Sequence, residues 1–427
     1  MSVADAIFAF LVAAAISATL TPLTSRLALR VGAVDEPRDR GLSMRATPLL
    51  GGLAIFAGTL VAGLAWLPGT HLWHGVLIAA AVITFIGAVD DRFDLPPAWK
   101  LAGQTTAAFI AVRYGVVVHH ITLPFVGRLD FPHTGAAITL VGLVGLMNIV
   151  NFSDGVDGLA AGVSVIIALT FALIAFDLQR QASGVLAALT AGSALGFLFH
   201  NFPPARSFMG DCGSNLLGLL MGCVTVEAAV KTEVVVSFAL PLVLLAVPFL
   251  DTTFVVLKRL KYRRPIYEAD TEHFHHRMAR IGFSQRRTVA YLYAWTAMLA
   301  GLALALRFVP YSDHHGHLYA VGSLVMVALI LVVAAASVYL VYVLEILKFR
   351  RLTALRLRRA GGPVSEAEIE AHVAEQLETG EFEAAGDGEA RAEGRPDRGA
   401  GDAQAGDGGP ADAGAARRPG RQALAGE

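Results

Sequence analysis

The chain has 427 residues, of which 55% are hydrophobic and 16% charged, and its formal net charge is −1. Soluble domains carry about 25% charged residues, and the apolar residues here fall in long blocks, so we expect a bilayer to surround most of the chain. Nothing in the charge pattern indicates a nucleic-acid partner. The two cysteines, Cys212 and Cys223, do not suggest a disulfide framework.

Long apolar segments follow one another along the chain, and a membrane crossing needs about 20 such residues. We predict spans near 4–24, 50–67, 74–90, 101–118, 135–151, 159–176, 184–200, 214–230, 234–257, 289–306 and 318–346. The first segment lacks the basic start and clear cleavage site of a signal peptide, so we interpret it as a spanning helix. The predicted fold is an all-α polytopic membrane protein with about 11 transmembrane helices.

Basic residues concentrate in loops that follow odd-numbered predicted spans and so lie on one side of the membrane. This pattern predicts the orientation of the chain. The loop after the first span, the loop near 258–287 and the end of the last span are rich in Arg and Lys. By the positive-inside rule, these loops and the C-terminus lie in the cytoplasm and the N-terminus lies outside. The segment from His119 to Pro132 then lies outside and has the pattern of a small hairpin.

The composition changes after the last span. Residues 351–427 are rich in Ala, Gly, Glu, Asp, Arg and Pro, and such a segment cannot bury enough apolar surface to offset its chain entropy. We therefore predict a membrane domain at 1–350, which carries the chemistry, and a low-complexity cytoplasmic tail at 351–427 that is largely disordered.

The first candidate site motif is the pair Asp90 and Asp91, at the end of the third span. Adjacent carboxylates repel each other unless a cation compensates for their charge. Carboxylate oxygens suit Mg²⁺, which bridges protein carboxylates to substrate phosphates. A solvated loop that merely ends the helix is the alternative.

A second motif follows the fifth span and contains Asn151, Asp154 and Asp157, with Gly155 and Gly158 beside the acids. Acids three residues apart share a helix face, and glycine lets the backbone approach a ligand closely. A helix cap and turn would explain one Asp-Gly pair but explains the doubled pair less well.

The third motif places Asp211 directly before the eighth span. Its carboxylate can complete a metal site with Asp90 or Asp91, although a plain helix cap by Asp211 or Ser214 is the alternative. Asn201, just upstream, can bind polar groups of a substrate, as Arg206 can bind anionic ones.

The fourth motif contains His273, His275, His276 and Arg277. Neighbouring histidines cannot face one direction on a helix, whereas an irregular loop can present several imidazoles to one ligand. A zinc site is conceivable, but the nearby carboxylates favour a harder metal. We expect these residues to bind phosphate or sugar, with surface histidines of no role as the alternative. Each of the four motifs follows an odd-numbered predicted span, so we expect all four to lie at the cytoplasmic face.

In this order, the four motifs resemble those of the polyprenyl-phosphate N-acetylhexosamine-1-phosphate transferases, over about residues 1–346. The family's motifs are matched by Asp90 and Asp91; by Asn148, Asn151, Asp154, Gly155, Asp157 and Gly158; by Phe208 to Ser214; and by Asp270, His273, His275, His276, Arg277, Gly282, Ser284 and Arg286. In the first loop Pro37, Arg40, Thr47, Pro48, Gly51 and Gly52 match, whereas Arg38, Gly41, Ser43 and Ala46 depart from the pattern.

The resemblance implies a multispan enzyme of the bacterial inner membrane. Such enzymes move a sugar 1-phosphate from a UDP-sugar onto a polyprenyl (undecaprenyl) phosphate, release UMP and so begin a lipid-linked glycan of the cell envelope. They use Mg²⁺, with Mn²⁺ as an alternative. The histidine motif is similar to that of the branch that uses UDP-N-acetylglucosamine or a related UDP-hexosamine, and unlike that of the phospho-N-acetylmuramoyl-pentapeptide branch.

The resemblance also suggests roles for single residues in one in-line displacement. Asp211 and Asp91 are expected to hold the metal, and Asp90 to orient or deprotonate the lipid phosphate. The predicted catalytic residues are Asp90, Asp91, Asp154, Asp157, His273, His275 and His276. The predicted substrate-binding residues are Arg40, Arg45, Lys100, Asn151, Asn201 and Arg277. For Lys100, a side chain that snorkels to the membrane surface is the simpler alternative.

Two other functions are consistent with parts of the pattern. In a membrane prenyltransferase, Asp90, Asp91 and Asp94 would bind a diphosphate, but a second Asp-rich motif would be needed and is only poorly supplied. An ion-coupled transporter would place ionisable groups near the bilayer midplane and often shows inverted repeats, whereas these acids lie at span ends. The expected partners are a UDP-N-acetylhexosamine, a polyprenyl phosphate and membrane lipid, and the sequence leaves a homodimer open.

Overall fold

The computed structural model describes residues 1–35, 47–123, 127–230, 285–309 and 319–359. The helices in these ranges are α1 (Val3–Val31), α2 (Gly52–Trp66), α3 (His71–Phe93), α4 (Pro97–Arg113), α5 (Gly135–Ser153), α6 (Leu159–Asp177), α7 (Gln181–Asn201), α8 (Gly210–Val224), α9 (Gln285–Phe308) and α10 (Ala320–Arg359). A π-helix, Thr225–Val230, continues α8. The strands form two antiparallel pairs, β1 (Val34–Asp35) with β2 (Thr47–Pro48) and β3 (His120–Leu123) with β4 (Gly127–Asp130).

Seven helices within the described ranges are long and apolar enough to cross a membrane: α1, α3, α5, α6, α7, α9 and the part Ala320–Tyr339 of α10. The chain is therefore a multi-pass helical membrane protein, as predicted. The predicted count of eleven spans is not confirmed. Helices α2, α4 and α8 coincide with predicted spans but have only 15, 17 and 15 residues, and the span predicted near 234–257 lies outside the described residues.

Local sequence signals fix several helix ends. Helix α1 begins at a capping box in which the backbone N–H of Asp5 donates to Ser2 Oγ and that of Ser2 donates to the Asp5 carboxylate. It ends at Gly32, whose φ of 76° is left-handed and favours glycine. Helix α10 continues to Arg359, past the domain boundary that we predicted at residue 350.

Helix α7 lies at the centre of the bundle and packs against α1, α2, α6 and α8. Its contact with α1 depends on small residues, because a Cβ atom on Gly192 or Gly196 would lie 2.2 Å from the carbonyl oxygen of Phe10 or Ala14. Small residues allow membrane helices to approach at backbone distance. The two cysteines are buried as free thiols.

The polar motifs lie where helices begin or end on one side of the bundle. Helices α3 and α5 end there, and α4, α6 and α8 begin there, because consecutive helices run in opposite directions. The pair β3–β4 joins α4 to α5 on the other side and pairs His120 with Asp130 and Leu123 with Gly127. This confirms the hairpin predicted between His119 and Pro132. The helix termini that carry the polar motifs of the described residues thus lie together at one end of the bundle.

We expect Gly196→Ala to destabilise the bundle by about 1–3 kcal/mol, because the added methyl group overpacks the contact with α1. Gly142→Ala is the matched control, since a Cβ atom at Gly142 meets no other atom within 4 Å. Thermal unfolding of the detergent-solubilised protein measures both. A Gly196→Ala protein as stable as Gly142→Ala would contradict the close packing of α1 on α7.

Candidate active site

The carboxylate of Asp91, at the end of α3, binds the first turn of α8. The backbone N–H groups of Asp211 and Cys212 donate to its two oxygens over 2.6 and 3.2 Å. The first N–H groups of a helix lack partners within the helix and carry a partial positive charge. Asp91 satisfies two of them and so caps α8 from a neighbouring helix. Consequently, the position of Asp211 is fixed relative to the end of α3.

Gly210 makes this contact possible. Its φ is 67°, a left-handed conformation that favours glycine. A Cβ atom at this position would lie 2.4 Å from one carboxylate oxygen of Asp91. The Gly-Asp step of the third motif therefore has two requirements, a left-handed backbone and room for the carboxylate that caps the helix.

The ammonium group of Lys100, in the first turn of α4, lies among three carboxylates. Its Nζ atom is 2.9 Å from Asp90, 3.4 Å from Asp211 and 3.7 Å from Asp94. Asp90 is buried and also accepts a hydrogen bond from the backbone N–H of Leu95 over 2.8 Å. The structure thus brings Asp90, Lys100 and Asp211 together, as the clustering of span ends predicts.

Asn151, at the end of α5, joins this cluster. Its side-chain Nδ2 donates to Asp211 Oδ1 over 2.7 Å and to Ser214 Oγ over 2.9 Å. Asp211 therefore accepts from an amide of α5 and a lysine of α4, while Asp91 of α3 holds its backbone. Four helices position this one carboxylate.

A layer of amide side chains lies one helical turn deeper in the bundle. Gln104 of α4 binds both Asn148 of α5 and Asn215 of α8, each over 2.8 Å. Asn215 also donates to the backbone carbonyl of Asp211 over 2.8 Å. We did not predict a role for Gln104 or Asn215 from the sequence. The available signal was their spacing, four residues after Lys100 and Asp211, inside otherwise apolar segments.

Asp154 and Asp157 lie in the turn between α5 and α6, and both are partly buried. Burial raises the pKa of Asp154 well above its usual range, and the nearby charges of Asp211 and Asp91 raise it further. Burial also raises the pKa of Asp157, against the hydrogen bond that its carboxylate accepts from the backbone N–H of Ala205 over 2.9 Å. The second motif therefore adds two carboxyl groups whose protonated forms burial favours, and the Asp154 carboxyl lies close enough to Asp211 and Asp91 to respond to their charges.

Asn201, at the end of α7, is buried and bonds to backbone groups at both ends of its amide. Its Oδ1 accepts from the N–H of Gly158, and its Nδ2 donates to the carbonyl of Ser207, over 2.8 and 2.9 Å. These bonds tie the Asp-Gly turn to the segment that precedes α8. The geometry favours a positioning role for Asn201, and its predicted contact with substrate stays a prediction.

The end of the first long loop also lies beside the third motif. The N–H of Phe208 donates to the carbonyl of Pro48 over 2.8 Å, and Gly51 and Gly52 donate to Phe208 and Met209 over 3.0 and 2.9 Å. These bonds hold the loop's matched Thr-Pro and Gly-Gly pairs against the start of α8. Arg40 and Arg45 lie outside the described residues, so their predicted contacts with substrate stay predictions.

Helix α9 begins at the same end of the bundle. Arg286 Nε donates to the carbonyl of Pro203 over 2.9 Å, and the hydroxyl of Tyr293 donates to the carbonyl of Gly158. The start of α9, at Gln285, thus lies beside the Asp-Gly turn. The predicted residues His273, His275, His276 and Arg277 lie outside the described residues, 8 to 12 positions before the start of α9 in the sequence.

The carboxylates of this site suit Mg²⁺, which does not need a closed cage of protein ligands. Among the residues that the structure describes, no group of three or more His, Cys, Asp or Glu side chains is arranged to hold a metal ion. Mg²⁺ needs no such cage, since it keeps several waters and binds through one or two carboxylates together with substrate phosphates. Asp211 and Asp91 fit this pattern, and each oxygen of Asp91 keeps a second lone pair beside the N–H that it accepts.

Comparisons with known proteins show which family this chain is similar to. A family model described as "Glycosyl transferase family 4" matches residues 73–229, which include all of the clustered side chains. The chain is 34% identical over 289 residues to a probable undecaprenyl-phosphate N-acetylglucosaminyl 1-phosphate transferase of Bacillus subtilis, covering 67% of this chain and 81% of that protein.

Two mycobacterial proteins are similar over comparable lengths. A decaprenyl-phosphate N-acetylglucosaminephosphotransferase of Mycobacterium leprae is 36% identical, with 70% of this chain and 83% of that protein covered. A phospho-N-acetylmuramoyl-pentapeptide-transferase of Mycolicibacterium smegmatis is 30% identical, with 69% of this chain and 94% of that protein covered.

We expect Gly210→Ala to lower stability by about 1–3 kcal/mol, because it forces a left-handed alanine and displaces the Asp91 carboxylate from α8. Gly69→Ala serves as the control, since a Cβ atom at Gly69 meets nothing within 4 Å. Thermal unfolding in detergent measures the difference. Equal melting temperatures for the two variants would show that Asp91 does not need the space beside Gly210.

Proposed function

Because this chain belongs to glycosyl transferase family 4, among its polyprenyl-phosphate N-acetylhexosamine-1-phosphate transferases, we propose that it transfers N-acetylglucosamine 1-phosphate. The donor would be UDP-N-acetylglucosamine, the acceptor undecaprenyl phosphate and the released product UMP. The observation that carries the proposal is the meeting of Asp90, Lys100, Asn151 and Asp211 at the ends of four helices.

Charge complementarity supports this reaction. Transfer of a phosphoryl group needs neutralisation and alignment more than covalent help from the protein. The cluster offers a lysine for a phosphate and carboxylates for a divalent cation, at a helix end that a lipid-borne phosphate can reach. Lys100 already bridges Asp90 and Asp211, so a phosphate bound there would meet both kinds of charge.

We assign the metal to Asp211 and Asp91. When bound there, Mg²⁺ would neutralise the diphosphate of the donor, and Mn²⁺ is an alternative. Asp211 is suited to hold it because Asn151 fixes its side chain and the Asp91 carboxylate fixes its backbone. Asp91 is suited because its carboxylate is locked on the N-terminus of α8.

Asp90 is the proposed partner of the acceptor. Its carboxylate is fixed by Lys100 and by the N–H of Leu95, so it can orient the lipid phosphate or accept its proton. The attacking oxygen of that phosphate forms a bond to the sugar-bearing phosphorus of the donor as the bond to UMP breaks. Asp154 and Asp157 would bind the nucleotide or the sugar.

The remaining assignments rest on the family resemblance and on topology. His273, His275, His276 and Arg277 would bind the diphosphate or sugar, and Arg40 and Arg45 would bind anionic groups of either substrate. The start of α9 beside the Asp-Gly turn supports this placement for the histidines. The excess of basic residues in loops that follow odd-numbered predicted spans supports a cytoplasmic active site in a bacterial inner membrane.

The arrangement does not favour the transporter alternative. An ion-coupled transporter gathers its ionisable side chains near the bilayer midplane. In the described part of the chain, Asp90 lies in the last turn of α3 and Asp211 in the first turn of α8. This position at helix ends supports a reaction at the membrane surface.

The purified protein, given Mg²⁺, labelled UDP-N-acetylglucosamine and undecaprenyl phosphate, should release UMP and form a diphospholipid-linked sugar. Asp211→Asn should lower this activity by at least about 100-fold, because it removes the proposed metal ligand. Asp177→Asn is the control, since Asp177 pairs with Arg307 at the other end of the bundle and should leave turnover near that of the wild type.

Two results would contradict the proposal. The first is a folded wild-type protein that forms no lipid-linked sugar from UDP-N-acetylglucosamine but does so from UDP-N-acetylmuramoyl-pentapeptide, which would place it in the other branch. The second is an Asp211→Asn protein with turnover close to that of Asp177→Asn, which would remove Asp211 from the reaction.

The sidedness of the site can be measured separately in sealed membrane vesicles, because UDP-sugars do not cross a bilayer. Inverted vesicles, whose cytoplasmic face is outside, should form the product from added UDP-sugar, and right-side-out vesicles should form it only after permeabilisation. Equal product from intact right-side-out vesicles would place the active site on the outer face.

A further inference from the structure

The amide layer formed by Gln104, Asn148 and Asn215 repeats the arrangement of the site one turn deeper. Gln104 lies four residues after Lys100 on α4, and Asn215 lies four residues after Asp211 on α8. Asn148 lies three residues before Asn151 on α5. Residues three or four apart share a helix face, so each amide lies beneath one polar residue of the site.

Gln104 connects the other two amides. Its Nε2 donates to Asn215 Oδ1 over 2.8 Å and lies 3.4 Å from Asn148 Oδ1, while its Oε1 accepts from Asn148 Nδ2 over 2.8 Å. Gln104 and Asn215 are buried. Each direction of bonding is specified, because reversing the glutamine amide would place oxygen against oxygen and nitrogen against nitrogen.

The layer continues directly into the site. Asn148 Nδ2 also donates to the carbonyl of Val144, and Asn215 Nδ2 donates to the carbonyl of Asp211, both over 2.8 Å. The network therefore runs from the backbone of α5, through Gln104 of α4, to the backbone of the residue that carries the central carboxylate. A shift of α4 against α5 or α8 would break at least one of these bonds.

We infer that Gln104 is a positioning residue of the transferase. By setting the register of α4 against α5 and α8, it places Lys100, Asn151 and Asp211 at the distances that the reaction needs. Gln104 acts through these residues and does not touch substrate. This inference rests on the proposed function, since it concerns the turnover of that same site.

The test compares Gln104→Met with Thr59→Val. Methionine keeps the length and apolar volume of the buried side chain but cannot bond to either amide. Thr59→Val removes another buried interhelical hydrogen bond, which joins Thr59 of α2 to Ser193 of α7 over 3.1 Å. Thr59→Val loses one polar link between helices away from the site, whereas Gln104→Met loses the links to both α5 and α8 beneath the site.

In the undecaprenyl phosphate assay, Gln104→Met should lower kcat by about 10²-fold, because small misplacements of reacting groups have effects of this size. The KM for UDP-N-acetylglucosamine should stay within about threefold of the wild-type value, because no substrate contact is lost. Thr59→Val should keep kcat within about threefold of the wild-type value. Its melting temperature should also stay close to that of the wild type.

A Gln104→Met protein with the kcat of Thr59→Val would overturn the inference and leave the proposed function intact. A loss confined to KM would overturn it as well. An inactive but folded wild-type protein would overturn the proposed function, and the inference with it. If Gln104→Met does not fold, Gln104→Asn decides, because it keeps a buried amide that is too short to bond to both helices and should show the same loss of kcat.

Discussion

The bond between the Asp91 carboxylate and the first turn of α8 is the constraint on which the site depends. Two adjacent aspartates at a helix end repel each other, and in this structure each carboxylate has its own positively charged partner. The partial positive charge of α8 compensates Asp91, and the ammonium of Lys100 compensates Asp90. Because the same turn of α8 carries Asp211, the contact that neutralises one carboxylate also sets the position of the next. The remaining polar contacts of the site are arranged around that turn.

Backbone proximity makes this arrangement rigid. A Cβ atom on Gly52 of α2 would lie 2.2 Å from the nitrogen of Gly213, and one on Gly87 of α3 would lie 2.4 Å from the Cα of Cys212. The first turn of α8 therefore packs against α2 and α3 at glycines, where no side chain lies between the helices that could move to make room. Closely packed interiors have low compressibility, so the backbone that carries Asp211 is held closely against α2 and α3.

The sequence predicts much of the fold and the core of the site, for a physical reason. Apolar blocks locate helices, and the alternation of direction brings Asp90, Asn151 and Asp211 to one end of the bundle. An apolar block does not distinguish a helix of 15 residues such as α2 from a full crossing, which is why a count of spans was not secure. Sequence also could not show that Asp91 caps a helix from outside it or that Gln104 joins two others, because both contacts depend on how helices pack.

At the site, amide side chains lie one helical turn beneath the charged side chains. The free-energy cost of burying a charge in a membrane explains this order. A charged side chain inside a membrane is expensive, with translocon scales giving about 2.5–3.5 kcal/mol at the centre of a helix. Hydrogen bonds between membrane helices return only about 0.6–2 kcal/mol each. One turn below the carboxylates, Gln104 and Asn215 can still specify a register through directional bonds without the cost of a buried charge. Between α7 and α1, the close contact is made by Gly192 and Gly196 against backbone. The charged side chains of the site thus lie at the level where phosphates would bind, and the amide layer beneath them supplies orientation, which a purely apolar contact would not specify.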